Sequence, residues 1–180
     1  MRSFTTEGIV IKRRNMGEAD RVLTVFTKDH GKLQIKAKGV RKITSKRSSH
    51  IELLNFALLS LHKGNVMSIL TEVQTIESFS DIKIDLKKVG IAYHICELVD
   101  GLCPENQENS EIFLLLKNIL TTLNQEEDVS KPVYTFQLEL LAQLGYWSGE
   151  RSDKNFKTLS FIEDILERKL KTRQILPSLL

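Results

Sequence analysis

The chain has 180 residues, of which 41% are hydrophobic and 27% charged, and its formal net charge is +3. This composition excludes a disordered chain and fits one ordinary globular domain or two small ones. No apolar run approaches the roughly 20 residues that a membrane helix needs, and the N-terminus lacks the apolar core of a signal peptide, so we expect a cytoplasmic protein with no membrane partner.

The two parts of the chain carry opposite charge. Residues 1–50 contain thirteen Lys and Arg against four Asp and Glu, a net charge of +9, whereas residues 51–180 have a net charge of −6. Such asymmetry is typical of a protein whose basic part binds a polyanion.

The first eighty residues predict a small all-β unit. Residues 31–40 alternate most regularly, with Leu33, Ile35 and Ala37 on one face and Lys32, Gln34, Lys36 and Lys38 on the other. Turn residues such as Gly17 and Gly31 separate the strands. Five strands are predicted, at residues 5–14, 20–27, 31–40, 53–62 and 67–78. Five short strands joined mostly by tight turns favour a closed barrel.

From residue 81 the apolar residues recur with helical spacing. The pattern predicts a helix that Pro104 ends, a second that Ser110 begins, and a third with Pro132 in its first turn. A fourth is predicted to begin at Ser160, which has capping-box spacing to Glu163. The fold class is therefore α+β, with a barrel domain at 1–80 and an all-α helical domain at 81–180.

A basic segment follows the third strand. Residues 36–47 contain six Lys and Arg and no acid, and several of these flank a Ser/Thr-rich stretch. A lysine-rich surface that is merely solvated is the alternative, but several basic segments converge on one barrel, which favours binding to a phosphate backbone. The candidate DNA-binding residues are Lys12, Arg13, Arg14, Arg21, Lys32, Lys36, Lys38, Arg41, Lys42, Lys46 and Arg47.

Signals for catalysis and for a metal are weak. The chain has no phosphate-binding glycine loop, no nucleophile elbow and no paired metal-binding carboxylates. Cys96 and Cys103 would lie roughly 10 Å apart along one helix, too far for a disulfide, and the four histidines are scattered. We therefore expect no enzyme, no metal and no cofactor.

Residues 138–147 (LELLAQLGYW) end with adjacent Tyr146 and Trp147. The segment is either an apolar groove for a partner peptide or, as we favour, helix core with a cap near Gly145. The candidate partner-binding residues are Leu141, Tyr146, Trp147, Lys169, Lys171 and Arg173.

Several segments closely resemble the N-terminal domain of the RecO family of recombination mediators. These segments are residues 7–13 (EGIVIKR), 17–27 (GEADRVLTVFT) and 31–42, with Ser45 and Lys46. Residues 141–146 (LAQLGY) are similar to the helix end of the same family, and residues 163–176 resemble its last helix.

The resemblance implies an OB-fold barrel followed by a helical domain, acting in DNA repair and RecF-pathway homologous recombination. Such proteins bind single- and double-stranded DNA, anneal complementary strands, and assist RecA loading with RecR. The resemblance also implies that the helical domain receives the C-terminal tail of single-strand binding protein.

Many family members carry a four-cysteine zinc module after the Leu-Gly-Tyr element, but residues 147–157 contain no cysteine, so we expect a shortened form without zinc. Two alternatives stay open. One is an RNA-binding OB-fold module in translation or RNA processing, which would share the basic barrel. The other is a nuclease, for which the sequence supplies no ligand cluster.

Overall fold

The computed structural model describes residues 3–148 and 157–174. Their contacts divide the chain into two compact units: residues 1–79 with 104–113, and residues 80–103 with 114–180. The first unit is a barrel and the second is helical, which confirms the predicted fold class. Residues 104–113 group with the barrel, although they lie within the predicted helical domain. The domain limits of 1–80 and 81–180 stay a prediction.

The barrel consists of five strands, β1 (Ser3–Met16), β2 (Asp20–Thr27), β3 (Gly31–Ala37), β4 (Phe56–His62) and β5 (Ser68–Glu77). The sheet closes in the order β1-β2-β3-β5-β4, an OB-type arrangement in which every pair is antiparallel except β3–β5. A bulge between Val10 and Lys12 lets the long β1 pair with both β2 and β4. All five predicted strands are present.

Inward-facing aliphatic side chains fill the barrel. Leu33, Ile35 and Ala37 lie in this core, as their alternation predicts. Val10 on β1 and Val25 on β2 pair directly and point into the same core. Burial of these side chains drives the closure of the sheet, at about 25 cal/mol for each Å² of apolar surface removed from water.

The segment Pro104–Phe113 returns to the barrel. Glu105 bridges to Lys32, and the Asn106 N–H donates to the Lys32 carbonyl at 2.9 Å. The Gln34 amide donates to the Glu105 carboxylate at 3.0 Å. Because β3 pairs with β5 only at Ile35 and Lys36, this segment covers backbone at the start of β3 that would otherwise form an open edge.

The helical unit contains α1 (Ser80–Ile84), α2 (Leu86–Leu102), α3 (Ser110–Gln125, of which residues 114–125 belong to this unit), α4 (Ser130–Gln143) and α5 (Thr158–Leu166). A short 3-10 helix follows at Lys171–Gln174. Asp85 caps α2 by accepting hydrogen bonds from the Lys87 and Lys88 N–H groups. Buried residues such as Ile95, Leu120 and Phe136 form the core of this unit.

The predicted start of the fourth long helix is wrong. The helix begins at Thr158, so Ser160 lies inside it and makes no capping box. Glu163 is buried instead, and its carboxylate accepts from the Leu170 N–H at 2.9 Å and from Arg173 and Lys169. Glu163 therefore holds the turn after the helix. The [ST]-x-x-E spacing could not show this, because a local motif does not reveal which later residues contact the carboxylate.

Candidate nucleic-acid interface

The loop after β3 is held in place by two arginines. The Arg41 guanidinium donates to the Gly17 carbonyl at 2.9 Å, and the Arg41 N–H donates to the Ala19 carbonyl at 2.9 Å. The Arg47 guanidinium donates to the Leu70 carbonyl at 2.9 Å and to the Lys38 carbonyl at 2.8 Å. These bonds tie the loop to the β1–β2 turn at one end and to β5 at the other.

The anchored loop forms one wall of a cleft of about 670 Å³ at the end of the barrel. Lys38, Lys42, Lys46 and Arg47 line it, with the hydroxyl side chains of Thr44 and Ser45 between them. Lys38, Lys42 and Lys46 are exposed, so their ammonium groups can meet a ligand. Four of the eleven predicted residues thus come together around one opening.

Asp20 is the acidic residue that lines this cleft, and no sequence pattern indicated its role. Its carboxylate accepts from the Gly39 N–H at 2.8 Å and pairs with the Lys36 ammonium at 3.2 Å. The Gly39 N–H and the Lys36 ammonium hold the pKa of Asp20 below its ordinary value. The carboxylate fixes the turn at Gly39, whose φ of +66° favours glycine, and it partly neutralises Lys36.

Three further predicted residues share the outer face of the sheet. Arg14, Val22 and Lys36 are in register across β1, β2 and β3, so Arg14 and Lys36 flank Val22 on one face. Lys12 lies two residues before Arg14, opposite Thr24, and points to the same side. This face is a cationic strip of two basic residues on β1 and Lys36 on β3, and the Asp20 carboxylate of β2 pairs with Lys36.

Arg13, Arg21 and Arg41 form a cluster beside the β1–β2 turn. Burial lowers the pKa of Arg21, and repulsion from the guanidinium groups of Arg13 and Arg41 lowers it further. The Arg21 Nε donates to the Asn15 side chain at 3.3 Å, which orients the group. The charge of Glu52 opposes this shift in pKa, and a bound phosphate would relieve the remaining repulsion among the three guanidinium groups.

Lys32 departs from its predicted exposure. Alternation places it on the outer face, yet its residue surface is only 6% exposed. The returning segment at Glu105 and Asn106 covers it. A period-2 pattern identifies the face of a strand but not what later packs against that face, so the expectation of a solvent-facing Lys32 is wrong.

Comparison with known proteins agrees with the barrel and its helical continuation. The family model "Recombination protein O N terminal" matches residues 1–79, and "Recombination protein O C terminal" matches residues 84–147. The chain belongs to the RecO family.

Similar relatives carry the name "DNA repair protein RecO". The protein of Dehalococcoides mccartyi strain BAV1 is 40% identical over 146 residues, which are 79% of this chain and 56% of that protein. Those of Roseiflexus sp. strain RS-1 and Acetivibrio thermocellus are each 37% identical, over 81% of this chain and over 51% and 59% of their own lengths. The chain therefore spans about half the length of the curated RecO relatives it matches.

The predicted partner-binding residues of this RecO-family chain do not form one exposed surface. Leu141 has no exposed surface, so the expectation that it contacts a peptide is wrong and the helix-core interpretation holds for it. Tyr146 is 46% exposed, and Trp147 is half-buried. Lys169 and Arg173 both pair with Glu163, which lessens their positive charge.

An apolar groove lies between α3 and α4 in the helical unit. It has a volume of about 310 Å³, and Leu115, Ile119, Pro132 and Phe136 supply much of its wall, with Lys131 and Glu139 at its edge. No sequence signal singled out this groove, because core residues such as Ile119 and Phe136 also line it and helical spacing does not separate the two roles.

The described residues were compared with the geometry that a metal site or a membrane helix requires. Across residues 3–148 and 157–174, no group of three His, Cys, Asp or Glu side chains is placed to hold a metal ion. Burial raises the pKa of Cys96 to about 12, so this thiol stays protonated. Among the helices that the structure describes, none is long and apolar enough to cross a bilayer.

Proposed function

We propose that this chain binds single- and double-stranded DNA through the basic cleft of its barrel and acts as a recombination mediator that anneals complementary strands and assists RecA loading with RecR. The cleft lined by Lys38, Lys42, Lys46 and Arg47 is the observation that carries the proposal. Membership of the RecO family supports the repair context.

Annealing follows from charge neutralisation. Two complementary strands repel each other through their phosphates, and a cationic surface lowers that repulsion while it leaves the base edges free to pair. The cleft, the outer strip of Lys12, Arg14 and Lys36, and the cluster around Arg21 offer more than one cationic path on the same barrel. Arg47 contributes mainly by holding the loop, since its guanidinium is already bonded to the carbonyls of Leu70, Thr71 and Lys38.

One gel assay separates the proposal from its alternatives. Complementary labelled DNA strands are mixed with the protein, with and without magnesium, and a matched RNA pair serves as the comparison. We expect DNA annealing that needs no metal and leaves the strands intact. Preference for RNA without DNA annealing would instead indicate an RNA-binding module, and magnesium-dependent strand loss would indicate a nuclease.

The salt dependence of binding tests the electrostatic mechanism. If about six side chains contact single-strand phosphates, log K should fall with log salt at a slope of about −4, since each contact contributes about 0.7. An affinity that does not change with salt would contradict phosphate contacts as its source.

The helical unit is the proposed site for the C-terminal tail of single-strand binding protein. The supporting features are the apolar α3–α4 groove beside Lys131 and the exposed basic residue Lys171. Titration of a fluorescent tail peptide with the whole chain should give saturable binding at micromolar protein. Lys131→Glu should weaken this binding if the peptide occupies the α3–α4 groove, and Lys171→Glu should weaken it if the peptide binds at Lys171. Co-purification with RecR tests the remaining partner.

A further inference from the structure

An isoleucine stands fully in solvent at the tip of the basic loop. Ile43 has a relative exposure of 105%, the highest of the large hydrophobic residues that the structure describes. It occupies the second position of a β-turn closed by the Ser45 N–H, which donates to the Lys42 carbonyl at 2.9 Å. Its neighbours Lys42 and Thr44 both line the cleft.

The turn presents this side chain in a defined place. The Lys42 N–H donates to the Gly39 carbonyl at 3.2 Å, so a second turn precedes the first. The arginine anchors at 41 and 47 fix the two ends of the segment. Ile43 is therefore an apolar group held out by an anchored loop, and its exposure does not come from a freely moving chain end.

The surroundings of Ile43 indicate what it would contact. Its chain neighbours Lys42 and Thr44 line the same cleft as Lys38 and Lys46, so the turn that carries Ile43 borders a positively charged opening. Met16, 38% exposed, is paired in register with Asp20, which lines the cleft, so a second exposed apolar residue stands at this end of the strands. A ligand that complements this surface has a negative backbone and apolar faces at short intervals, and a single strand of nucleic acid with unstacked bases has both.

We propose that Ile43 packs against the faces of nucleobases in single-stranded DNA while the neighbouring lysines contact the phosphates, so that the loop favours single strands over duplex. In a duplex the base faces are stacked on one another and are closed to such a contact. The inference rests on the proposed DNA binding and adds to it the residue that sets strand preference.

The test compares Ile43→Ala with Val66→Ala, a matched variant of another exposed β-branched residue, at 92%, in the β4–β5 connection of the same barrel. Affinity is measured for oligothymidine, for an abasic strand of equal length and for a duplex. Ile43→Ala should weaken oligothymidine binding about 5-fold, since part of the three lost carbons would be buried against a base. Its binding to the abasic strand and to duplex, and its salt slope, should not change.

Three results would overturn the inference. Ile43→Ala could bind oligothymidine like the wild type, it could lose equal affinity for the abasic strand, or Val66→Ala could show the same loss. Ile43→Phe keeps a large apolar side chain at this position and should bind oligothymidine at least as tightly as the wild type. If the wild type binds none of the three ligands, DNA binding itself is wrong, an outcome distinct from a bound strand that ignores position 43.

Discussion

A directional chain of hydrogen bonds joins four buried polar residues in the helical unit. The Thr158 hydroxyl donates to the Gln137 Oε1 at 2.6 Å, so the Gln137 Nε2 must donate to the His94 Nε2 at 3.0 Å. His94 then donates from Nδ1 to the Thr172 hydroxyl at 2.8 Å, which donates to Glu97. Each donor has one acceptor only if His94 is neutral.

The stability of the helical unit should fall as pH decreases through the range set by His94. Burial lowers the pKa of His94 to about 4, although the Glu97 charge opposes the shift. The unfolded chain takes up its proton near pH 6.5 and the folded chain only near pH 4, so the contribution is complete above pH 6.5 and is lost between those values. Urea unfolding followed by Trp147 fluorescence should show a loss of about 2 kcal/mol from pH 7.5 to pH 5.

His94→Gln is the control for that prediction. It should be less stable at pH 7.5 and should lose the part of the pH dependence that lies above pH 5, where Glu97 stays ionised. Burial opposes ionisation of Glu97, but the Lys171 N–H, the Arg168 guanidinium and Thr172 hold its pKa at about 2. A pH dependence in His94→Gln equal to that of the wild type would contradict the assignment.

At the scale of elements, the sequence predicts the strands more completely than it predicts the segments that pack against them. Alternation in β3 located its core residues because inward and outward positions differ in polarity. The cover over Lys32 could not be read in the same way, since it depends on residues distant in sequence. The burial of Leu141 agrees with the helix-core interpretation that the sequence favoured. Helix periodicity located α2 to α5, whereas the start of α5 depends on where Glu163 finds its partners.

Replacement of Gly31 tests the contact between β3 and the returning segment. Gly31 has a φ of +65°, and a Cβ at this position would overlap the Gln107 carbonyl. Gly17 has a similar φ of +60° and open space around it. Gly17→Ala should cost about 1 kcal/mol of unfolding free energy from the backbone alone, and Gly31→Ala should cost at least about 2 kcal/mol more. Equal losses of unfolding free energy in the two variants would mean that residues 104–113 move away from the added Cβ at no cost.

The anchoring of the basic loop is a second property of an element. Arg47→Lys keeps the charge but loses the fork that reaches the Leu70 and Lys38 carbonyls. Amide hydrogen exchange across residues 38–48 should accelerate about 10-fold, as expected when about 1.4 kcal/mol of hydrogen bonding is lost. Lys46→Arg is the matched exchange at an exposed neighbour and should leave the rates unchanged. Unchanged exchange in Arg47→Lys would show that the turns hold the loop without it.

At the scale of the whole molecule, the uneven charge of the sequence becomes a local feature of the barrel. Arg13 and Arg41 are separated in sequence from Arg21, yet both lie close enough to it in the barrel to lower its pKa. The sequence could predict the sign and the domain of this charge. It could not predict that Asp20 pairs with Lys36, or that Ile43 would be fully exposed in the turn, because both depend on the folded chain.

Charge reversal at matched sites separates a local cleft from a general effect of net charge. Lys42→Glu with Lys46→Glu changes the net charge by −4 at residues that line the cleft. Lys131→Glu with Lys171→Glu makes the same change at exposed residues of the helical unit. Loss of two phosphate contacts should make the salt slope of single-strand binding less steep by about 1.4 and weaken binding at low salt more than 10-fold, but only in the cleft variant. If both double variants lose the same affinity, binding follows total charge and the cleft has no special part in it.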